Sequence, residues 1–280
     1  MKTAVSMWSF VGDFQEGKID AEGFVRKIKE LGADGVELLD FFWKDRNAEI
    51  GAVKSALSDL GMPVCTWAVG NNLVSTDPAE REASLRTIQG GVEEAVNLNS
   101  RVVRVFSGSL MEGISFDDAL RWIVDGLSAG AAYAIAHGVV LGLENHGALA
   151  GRSDQVKTIL ERVASPALGA NIDTGNFLLV NQAPHEAVAD LARFTVSVHL
   201  KDFKAVPDDY KGTTYMAFDG TRYAGTVIGE GDVDLRACLQ SLKDAGYQGY
   251  LSIEYEGEED AGQSVAQSIE NTRRILSQLA

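Results

Sequence analysis

Four acid or imidazole side chains lie at the ends of separate apolar runs in this sequence. They are Glu144 in VVLGLENHG, Asp173 in LGANIDTGN, His199 in VSVHLKDF and Glu254 in GYLSIEYEG. Each run is typical of a buried β-strand, and the polar group stands where that strand would emerge into a loop. Parallel strands that each end in such a group describe the mouth of a βα barrel. The pattern therefore predicts a site for one divalent metal ion at that mouth.

The donor types indicate which ion this site would prefer. Three carboxylates and one imidazole favour a hard or borderline cation, so we expect Mn²⁺, with Mg²⁺ or Co²⁺ as alternatives. Each residue also has an ordinary structural explanation. Asp173 would cap the segment that follows it, and His199 taken alone is typical of a hydrogen-bonded core histidine. Glu144 and Glu254 would form structural salt bridges, because an unpaired carboxylate in an apolar core costs several kcal/mol. The equivalent placement of all four favours the metal site.

Strand-like and helix-like segments alternate eight times along the chain. The predicted strands lie near residues 3–10, 35–39, 63–69, 101–108, 139–146, 168–174, 195–202 and 249–255. The predicted helices lie near residues 20–31, 47–60, 78–98, 115–137, 153–164, 184–192, 232–245 and 260–279. Pro78 and Pro184 suit first helical positions, and Ser115 suits an N-cap. We therefore predict an α/β fold, a single (β/α)₈ TIM barrel over residues 1–280, with one long connection near 204–231.

Composition narrows the classes of partner. The formal net charge is −15 and 45% of the 280 residues are hydrophobic. A nucleic-acid surface needs clustered Lys and Arg, so we expect no nucleic acid and no anionic membrane as a partner. Two cysteines do not make a disulfide framework. The N-terminal stretch lacks the pattern of a signal peptide and no apolar run reaches membrane-spanning length, so a cytoplasmic location is expected.

Several further side chains are candidates for substrate binding. His146 lies two residues past Glu144 and Lys201 two residues past His199, so strand alternation turns each toward the same side as its neighbour. His146 would bind substrate or pack beside the site, and Lys201 would bind a substrate oxygen or form a salt bridge at the barrel mouth.

Two pairs of residues on other predicted strands have equally balanced explanations. Glu37 in GVELL and Arg104 in RVVRVFSG would either contact substrate or form ion pairs in the barrel interior. Trp8 and Trp67 close the first and third predicted strands, and would wall the pocket or pack in the core.

With these motifs, the chain resembles the xylose isomerase-like TIM-barrel superfamily, in its sugar isomerase/epimerase branch, over essentially its whole length. The motifs that carry the resemblance are LENHG, NIDTGN, VHLKD, and IGEGDVDL followed by GYQGYLSIEYE. Relatives with this pattern include ketose 3-epimerases, hydroxypyruvate isomerase, and inosose isomerase and dehydratase. The resemblance implies that one divalent metal is bound by Glu144, Asp173, His199 and Glu254. It also implies that Glu144 and Glu254 act as the acid/base pair.

Two positions depart from the pattern of ketose 3-epimerases. Ala150 stands where many of them have a second carboxylate, and Asn176 stands where they often have a histidine. Asn176 is kept as a substrate-binding candidate, but a plain ketohexose 3-epimerase is disfavoured. Endonuclease IV shares the fold but needs a His-rich site for three metals, which the four histidines of this chain do not readily supply.

The predicted function is a metal-dependent isomerase or epimerase that acts on a sugar or a sugar-like polyol ketone through a metal-stabilised enediolate. A dehydratase or lyase acting on a cyclic or sugar-derived ketone is the alternative, because it would begin with the same proton removal. A barrel that binds a sugar without converting it is the third possibility. The partner is a small molecule, and a homo-oligomer is possible. Substrate identity, phosphorylation state and native metal stay open at this level.

Overall fold

Eight parallel strands close into a barrel in the computed structural model, which describes residues 1–279. In chain order the strands of the protein are β1 (Lys2–Ser6), β2 (Gly35–Leu39), β3 (Val64–Ala68), β4 (Val102–Val105), β5 (Val140–Glu144), β6 (Leu168–Asp173), β7 (Thr195–Leu200), β8 (Phe203–Val206), β9 (Tyr215–Met216), β10 (Arg222–Gly225) and β11 (Tyr250–Ile253). The barrel order is β1-β11-β7-β6-β5-β4-β3-β2, and β8, β10 and β9 form a separate sheet in that order.

Helices connect the barrel strands. They are α1 (Val11–Gln15), α2 (Ala21–Glu30), α3 (Arg46–Leu60), α4 (Pro78–Asn97), α5 (Phe116–His137), α6 (Ser153–Val163), α7 (Asn176–Leu179), α8 (Pro184–Leu191), α9 (Leu235–Asp244) and α10 (Ala261–Ser277). Every strand and helix predicted from the sequence has a counterpart in this list, and the (β/α)₈ barrel is confirmed. The sequence missed the two short helices, α1 and α7. No helix within residues 1–279 is both long enough and apolar enough to cross a membrane.

Local chemistry explains where the longest helix begins and ends. The Ser115 hydroxyl accepts a hydrogen bond from the amide of Asp118, and the Asp118 carboxylate accepts one from the amide of Ser115. This reciprocal capping box satisfies two amides that lack partners within the helix. At the other end Gly138 takes a left-handed conformation with φ of 68°, which glycine adopts without a steric cost.

The small sheet occupies the connection that the sequence left as one long loop. Residues Arg222–Gly225 pair antiparallel with both Phe203–Val206 and Tyr215–Met216. Asp219 and Gly220, with Gly220 at φ of 89°, turn the chain between β9 and β10. Phe203 packs against Tyr215 and Tyr223, at ring-centroid distances of 5.0 and 6.4 Å.

Strand alternation places the polar residues of the barrel on its inner side. Along β7, Ser197 and His199 alternate with the core residues Val198 and Leu200. The Ser197 hydroxyl donates to Asn171 on the neighbouring strand β6 at 2.5 Å. The interior below the barrel mouth is thus lined by buried polar side chains, and the apolar core lies between the strands and the helices.

Candidate metal centre

The four side chains singled out in the sequence meet at one end of the barrel. Glu144 and Asp173 are the last residues of β5 and β6, His199 is the second-last residue of β7, and Glu254 directly follows β11. These strands are consecutive in the barrel order. All four side chains are buried, and one ligand atom from each lies within 4.8 Å of the others.

The donor atoms surround a common point. His199 Nδ1 lies 3.4 Å from Glu254 Oε2, 3.6 Å from Glu144 Oε2 and 3.9 Å from Asp173 Oδ2. Within residues 1–279, Nδ1 of His199 has no hydrogen-bond partner. Glu144 Oε2 and Asp173 Oδ2 accept no well-aligned hydrogen bond either, but each lies beside a buried cation, Arg104 Nε at 3.2 Å and Lys201 Nζ at 3.0 Å. Buried polar atoms almost always have a partner, so carboxylate oxygens that converge on an unpaired nitrogen need an explanation. A divalent cation bound by all four residues would satisfy every one of them.

The two nitrogens of His199 have different tasks. Nε2 donates to Glu37 Oε2 at 2.9 Å, and both side chains are completely buried. This contact fixes the ring orientation and directs Nδ1 toward the three carboxylates, as carboxylate-histidine pairs do in metal sites. Burial opposes a charge on the ring, but Glu37, Glu254 and Glu144 outweigh burial and hold the pKa of His199 well above its usual value. The field at Nδ1 therefore attracts a cation.

The two oxygens of Asp173 also differ. Oδ1 accepts hydrogen bonds from the amides of Gly175 and Asn176, each at 2.9 Å. This is the capping role that the sequence predicted as an alternative for Asp173. It occupies Oδ1 only, and Oδ2 faces His199. Burial raises the pKa of Asp173 to about 7, against the opposing charge of Lys201. A carboxylate this poorly solvated gains from a nearby cation.

Glu144 is held from two sides. Arg104 Nε lies 3.2 Å from Glu144 Oε2, and Asn176 Nδ2 donates to Glu144 Oε1 at 3.3 Å. Arg104 also donates through Nη1 to the Val69 carbonyl at 3.0 Å. Arg104 and Asn176 thus orient this carboxylate within the barrel.

Sequence reasoning missed Asn145, although it belongs to the LENHG motif. Its Oδ1 accepts from the Asp173 amide at 2.7 Å, and its Nδ2 donates to the Asp173 carbonyl at 2.9 Å. These paired bonds connect the ends of β5 and β6 and set the spacing between Glu144 and Asp173. A buried asparagine directly after a strand-end carboxylate was the available signal.

Lys201 forms salt bridges at the barrel mouth, which was one of the two roles predicted for it. Its Nζ lies 2.9 Å from Glu254 Oε2, 3.0 Å from Asp173 Oδ2 and 3.1 Å from Glu256 Oε1. Burial opposes the charge on this amine, but Asp173, Glu254 and Glu256 outweigh it and hold the pKa of Lys201 well above its usual value. The ammonium is therefore part of the charge balance of the cluster.

The structure places two interior residues in ion pairs, which was one of the two explanations predicted for them. Glu37 is fully buried against His199, and Arg104 is buried against Glu144. Both therefore make the interior ion pairs that were the other possibility. Their charges act on two of the candidate ligands rather than on the pocket surface.

The two tryptophans do not form a common wall. Trp67 is completely buried and packs against Trp43 with ring centroids 6.1 Å apart, as the core-packing alternative describes, and its place in a pocket wall stays a prediction. Strand β1 ends at Ser6, so Trp8 lies instead in a short 3₁₀ helix, Met7–Phe10. Trp8 lines a cavity of about 490 Å³ together with Tyr215 and Glu256, and donates to Glu256 Oε1 at 2.8 Å.

His146 lies outside the buried cluster. Strand β5 ends at Glu144, so the alternation argument used for His146 no longer holds two residues later. The residue is exposed, and its ring packs on Phe106 with centroids 4.9 Å apart. The structure thus places His146 on the rim beside Phe106.

The family model of the xylose isomerase-like TIM barrel matches residues 25–275, and the chain belongs to this family. A 3-oxo-isoapionate decarboxylase of Pectobacterium atrosepticum is 26% identical over 226 residues, which are 78% of this chain and 71% of that protein. An inosose dehydratase of Clostridium perfringens is 24% identical over 143 residues, which are 50% of this chain and 48% of that protein.

Solved structures share the fold along the whole chain. The IolI protein, crystallised with a zinc atom, superposes with a TM-score of 0.79 at 16% identity, covering 100% of this chain and 99% of that one. The 3-keto-D-glucoside 4-epimerase YcjR of E. coli superposes with a TM-score of 0.76 at 20% identity, covering 98% of this chain and 99% of that one. At these identities the likeness concerns the fold.

Proposed function

We propose that this protein is a divalent-metal-dependent isomerase or epimerase that acts on a sugar or a sugar-like polyol ketone. The observation that carries the proposal is the convergence of buried carboxylate oxygens of Glu144, Asp173 and Glu254 on Nδ1 of His199, a buried nitrogen without a hydrogen-bond partner among residues 1–279. Oxygen-rich donors with one imidazole suit Mn²⁺ best, with Mg²⁺ or Co²⁺ as alternatives. The family relationship supports a sugar-type small molecule as substrate.

Glu144 and Glu254 are the proposed acid/base pair. A cation bound by the four ligands would supply Lewis-acid stabilisation of the negative charge that develops on the substrate oxygens. One glutamate removes the proton from the carbon beside the carbonyl, and the other returns a proton to that carbon or its neighbour. The two residues come from β5 and β11, with β6 and β7 between them in the barrel. Inversion of a stereocentre by this pair requires that the substrate bind between the two carboxylates, with one on each face.

The contacts around each glutamate support a division of roles. Arg104 and Asn176 hold Glu144 in a fixed orientation. Glu254 instead pairs with Lys201, and burial is outweighed there by Lys201 and His199, which hold the pKa of Glu254 well below its usual value. Glu254 is therefore ionised, which is the state a base needs, while its pairing with Lys201 lowers its basicity.

A metal-dependent dehydratase is the second candidate, and the inosose dehydratase relative is the specific observation in its favour. Both reactions begin with removal of the same proton. They diverge only if a β-hydroxyl leaves, which requires a group that protonates the departing oxygen. His146 on the rim is the histidine to examine for that role.

The test is incubation of the Mn²⁺-loaded protein with a panel of ketoses and inososes in D₂O, followed by mass spectrometry. Isomerisation or epimerisation leaves the mass unchanged except for deuterium gained at the carbon beside the carbonyl. A product lighter by one water would establish the dehydratase. Binding of a ligand with neither conversion nor exchange would instead indicate a sugar-binding barrel and contradict the proposal.

A further inference from the structure

Lys201 shares its carboxylate partners with the candidate metal. Its Nζ lies 3.0 Å from Asp173 Oδ2 and 2.9 Å from Glu254 Oε2. The same two oxygens face His199 Nδ1, at 3.9 and 3.4 Å. An ion bound there and the ammonium of Lys201 would therefore contact the same two oxygens.

Neighbouring residues hold Lys201 in a defined position. The Thr174 hydroxyl donates to the Lys201 carbonyl at 2.8 Å and accepts from the Lys201 amide at 3.1 Å. A Cβ on Gly175 would lie 2.8 Å from Lys201 Cγ, so only glycine at this position leaves room for the stem of the side chain. Thr174 and Gly175 of the NIDTGN motif thus position Lys201. These contacts are made to the lysine and not to any of the four candidate metal ligands.

Glu256 is a further carboxylate partner of the ammonium. Glu256 Oε1 is 3.1 Å from Lys201 Nζ, and Asn176 Oδ1 is at 3.4 Å. Glu256 is outside the candidate ligand set and is held in place by the indole of Trp8. Lys201 consequently has a fixed partner that would remain available when Asp173 and Glu254 bind an ion.

We propose that Lys201 is an internal cation that competes with the metal for Asp173 and Glu254, and that Glu256 draws it away from them. This inference rests on the proposed metal site. Two cations that share the same buried oxygens repel each other, and the repulsion is poorly screened inside a protein. Lys201 therefore lowers metal affinity, while Glu256 raises it by stabilising the lysine in its alternative position. Between metal-binding events the ammonium also limits the mutual repulsion of the carboxylates.

The proposal predicts effects of opposite sign for two neighbouring residues. Lys201→Met should tighten Mn²⁺ binding by about tenfold or more, because it removes a unit charge about 3 Å from two ligand oxygens. Glu256→Gln should weaken Mn²⁺ binding, because Lys201 then interacts with Asp173 and Glu254 alone. If Glu256 acts through the lysine, Glu256→Gln should have little further effect when it is added to Lys201→Met.

The experiment is isothermal titration of metal-stripped protein with Mn²⁺ for the wild type, the two single variants and the double variant. Lys204→Met is the matched control, because Lys204 is an exposed lysine paired with Asp232, and its Mn²⁺ affinity should equal that of the wild type. Circular dichroism checks folding, and Glu256→Gln tests the proposal independently should Lys201→Met fail to fold without metal.

The possible results separate this inference from the metal site itself. Tighter binding in Lys201→Met with weaker binding in Glu256→Gln supports the competition. If the wild type binds Mn²⁺ and Lys201→Met binds it more weakly, the lysine helps to position the ligands. That result would overturn the inference but leave the metal site intact. Absence of Mn²⁺ binding by the wild-type protein would overturn both.

Discussion

The two halves of the barrel mouth differ in what their charged residues contact. On β5, β6, β7 and β11, the strand-end side chains point at one another and form the candidate metal centre. On β2 and β4, Glu37 and Arg104 are just as buried, but each contacts one member of that centre, His199 or Glu144. One half thus supplies the atoms that would do chemistry, and the other half orients them.

Burial and charge therefore do not identify a metal ligand by themselves. Glu37 and Asp173 are both completely buried carboxylates. Glu37 Oε2 accepts a hydrogen bond from Nε2 of His199, whereas Asp173 Oδ2 faces the other candidate ligands. The group that each carboxylate oxygen faces separates the two roles, and substitutions in each half should have correspondingly different consequences.

The largest effect is expected for the glutamates of the first half. Glu144→Gln and Glu254→Gln should each reduce turnover by about 10²- to 10⁴-fold, because an amide cannot exchange the proton. Substrate binding should fall much less, since the amide oxygen remains a donor to the cation. Steady-state kinetics and substrate titration of the same preparations measure both quantities. Equal losses in turnover and binding would contradict the acid/base assignment.

An intermediate effect is expected for the supporting half. Glu37→Gln should weaken Mn²⁺ binding by about 10- to 100-fold, because the neutral amide accepts the same hydrogen bond without polarising the ring of His199. Titration with Mn²⁺ measures this loss, and turnover at saturating Mn²⁺ should largely recover. Glu270→Gln, at an exposed position on α10, is the matched control. If turnover does not recover at saturating Mn²⁺, Glu37 takes part in the reaction itself.

The smallest effect on the metal centre is expected at Trp67. Trp67→Phe should lower the free energy of unfolding by about 0.5–3 kcal/mol, because it leaves space in the core. Mn²⁺ affinity should stay at the wild-type value, since the ring packs against Trp43 and Trp67 is not one of the candidate ligands. Urea denaturation and Mn²⁺ titration check the two expectations separately, and a loss of affinity without a loss of stability would return Trp67 to the pocket wall.

The elements of the barrel were predictable because buried parallel strands and amphipathic helices impose strong, regular patterns. The strand Gly35–Leu39 and the helix beginning at Pro78 were predicted at their observed bounds or starts. The small sheet was missed because its strands are only two to four residues long and all three are partly exposed. The Asp219-Gly220 pair was a turn signal that pointed to it.

The candidate ligands were predictable from their positions at strand ends, but their supporting contacts were not. The pairing of Glu37 with His199 spans 162 residues in sequence, and no local pattern encodes it. His146 follows the end of β5 by two residues, so strand alternation alone does not fix its direction, and its role toward substrate stays a prediction. Lys201 and Asn176 both bridge side chains from other strands, and such contacts depend on how the strands are arranged around the barrel.

The central claim is that Glu144, Asp173, His199 and Glu254 together hold one divalent metal ion. Its most direct test is elemental analysis with Mn²⁺ titration of the wild-type protein and of Asp173→Asn. The wild type should bind one ion per chain, and Asp173→Asn should bind Mn²⁺ far more weakly because the anionic oxygen that faces His199 is lost. Unchanged stoichiometry and affinity in Asp173→Asn would contradict the account.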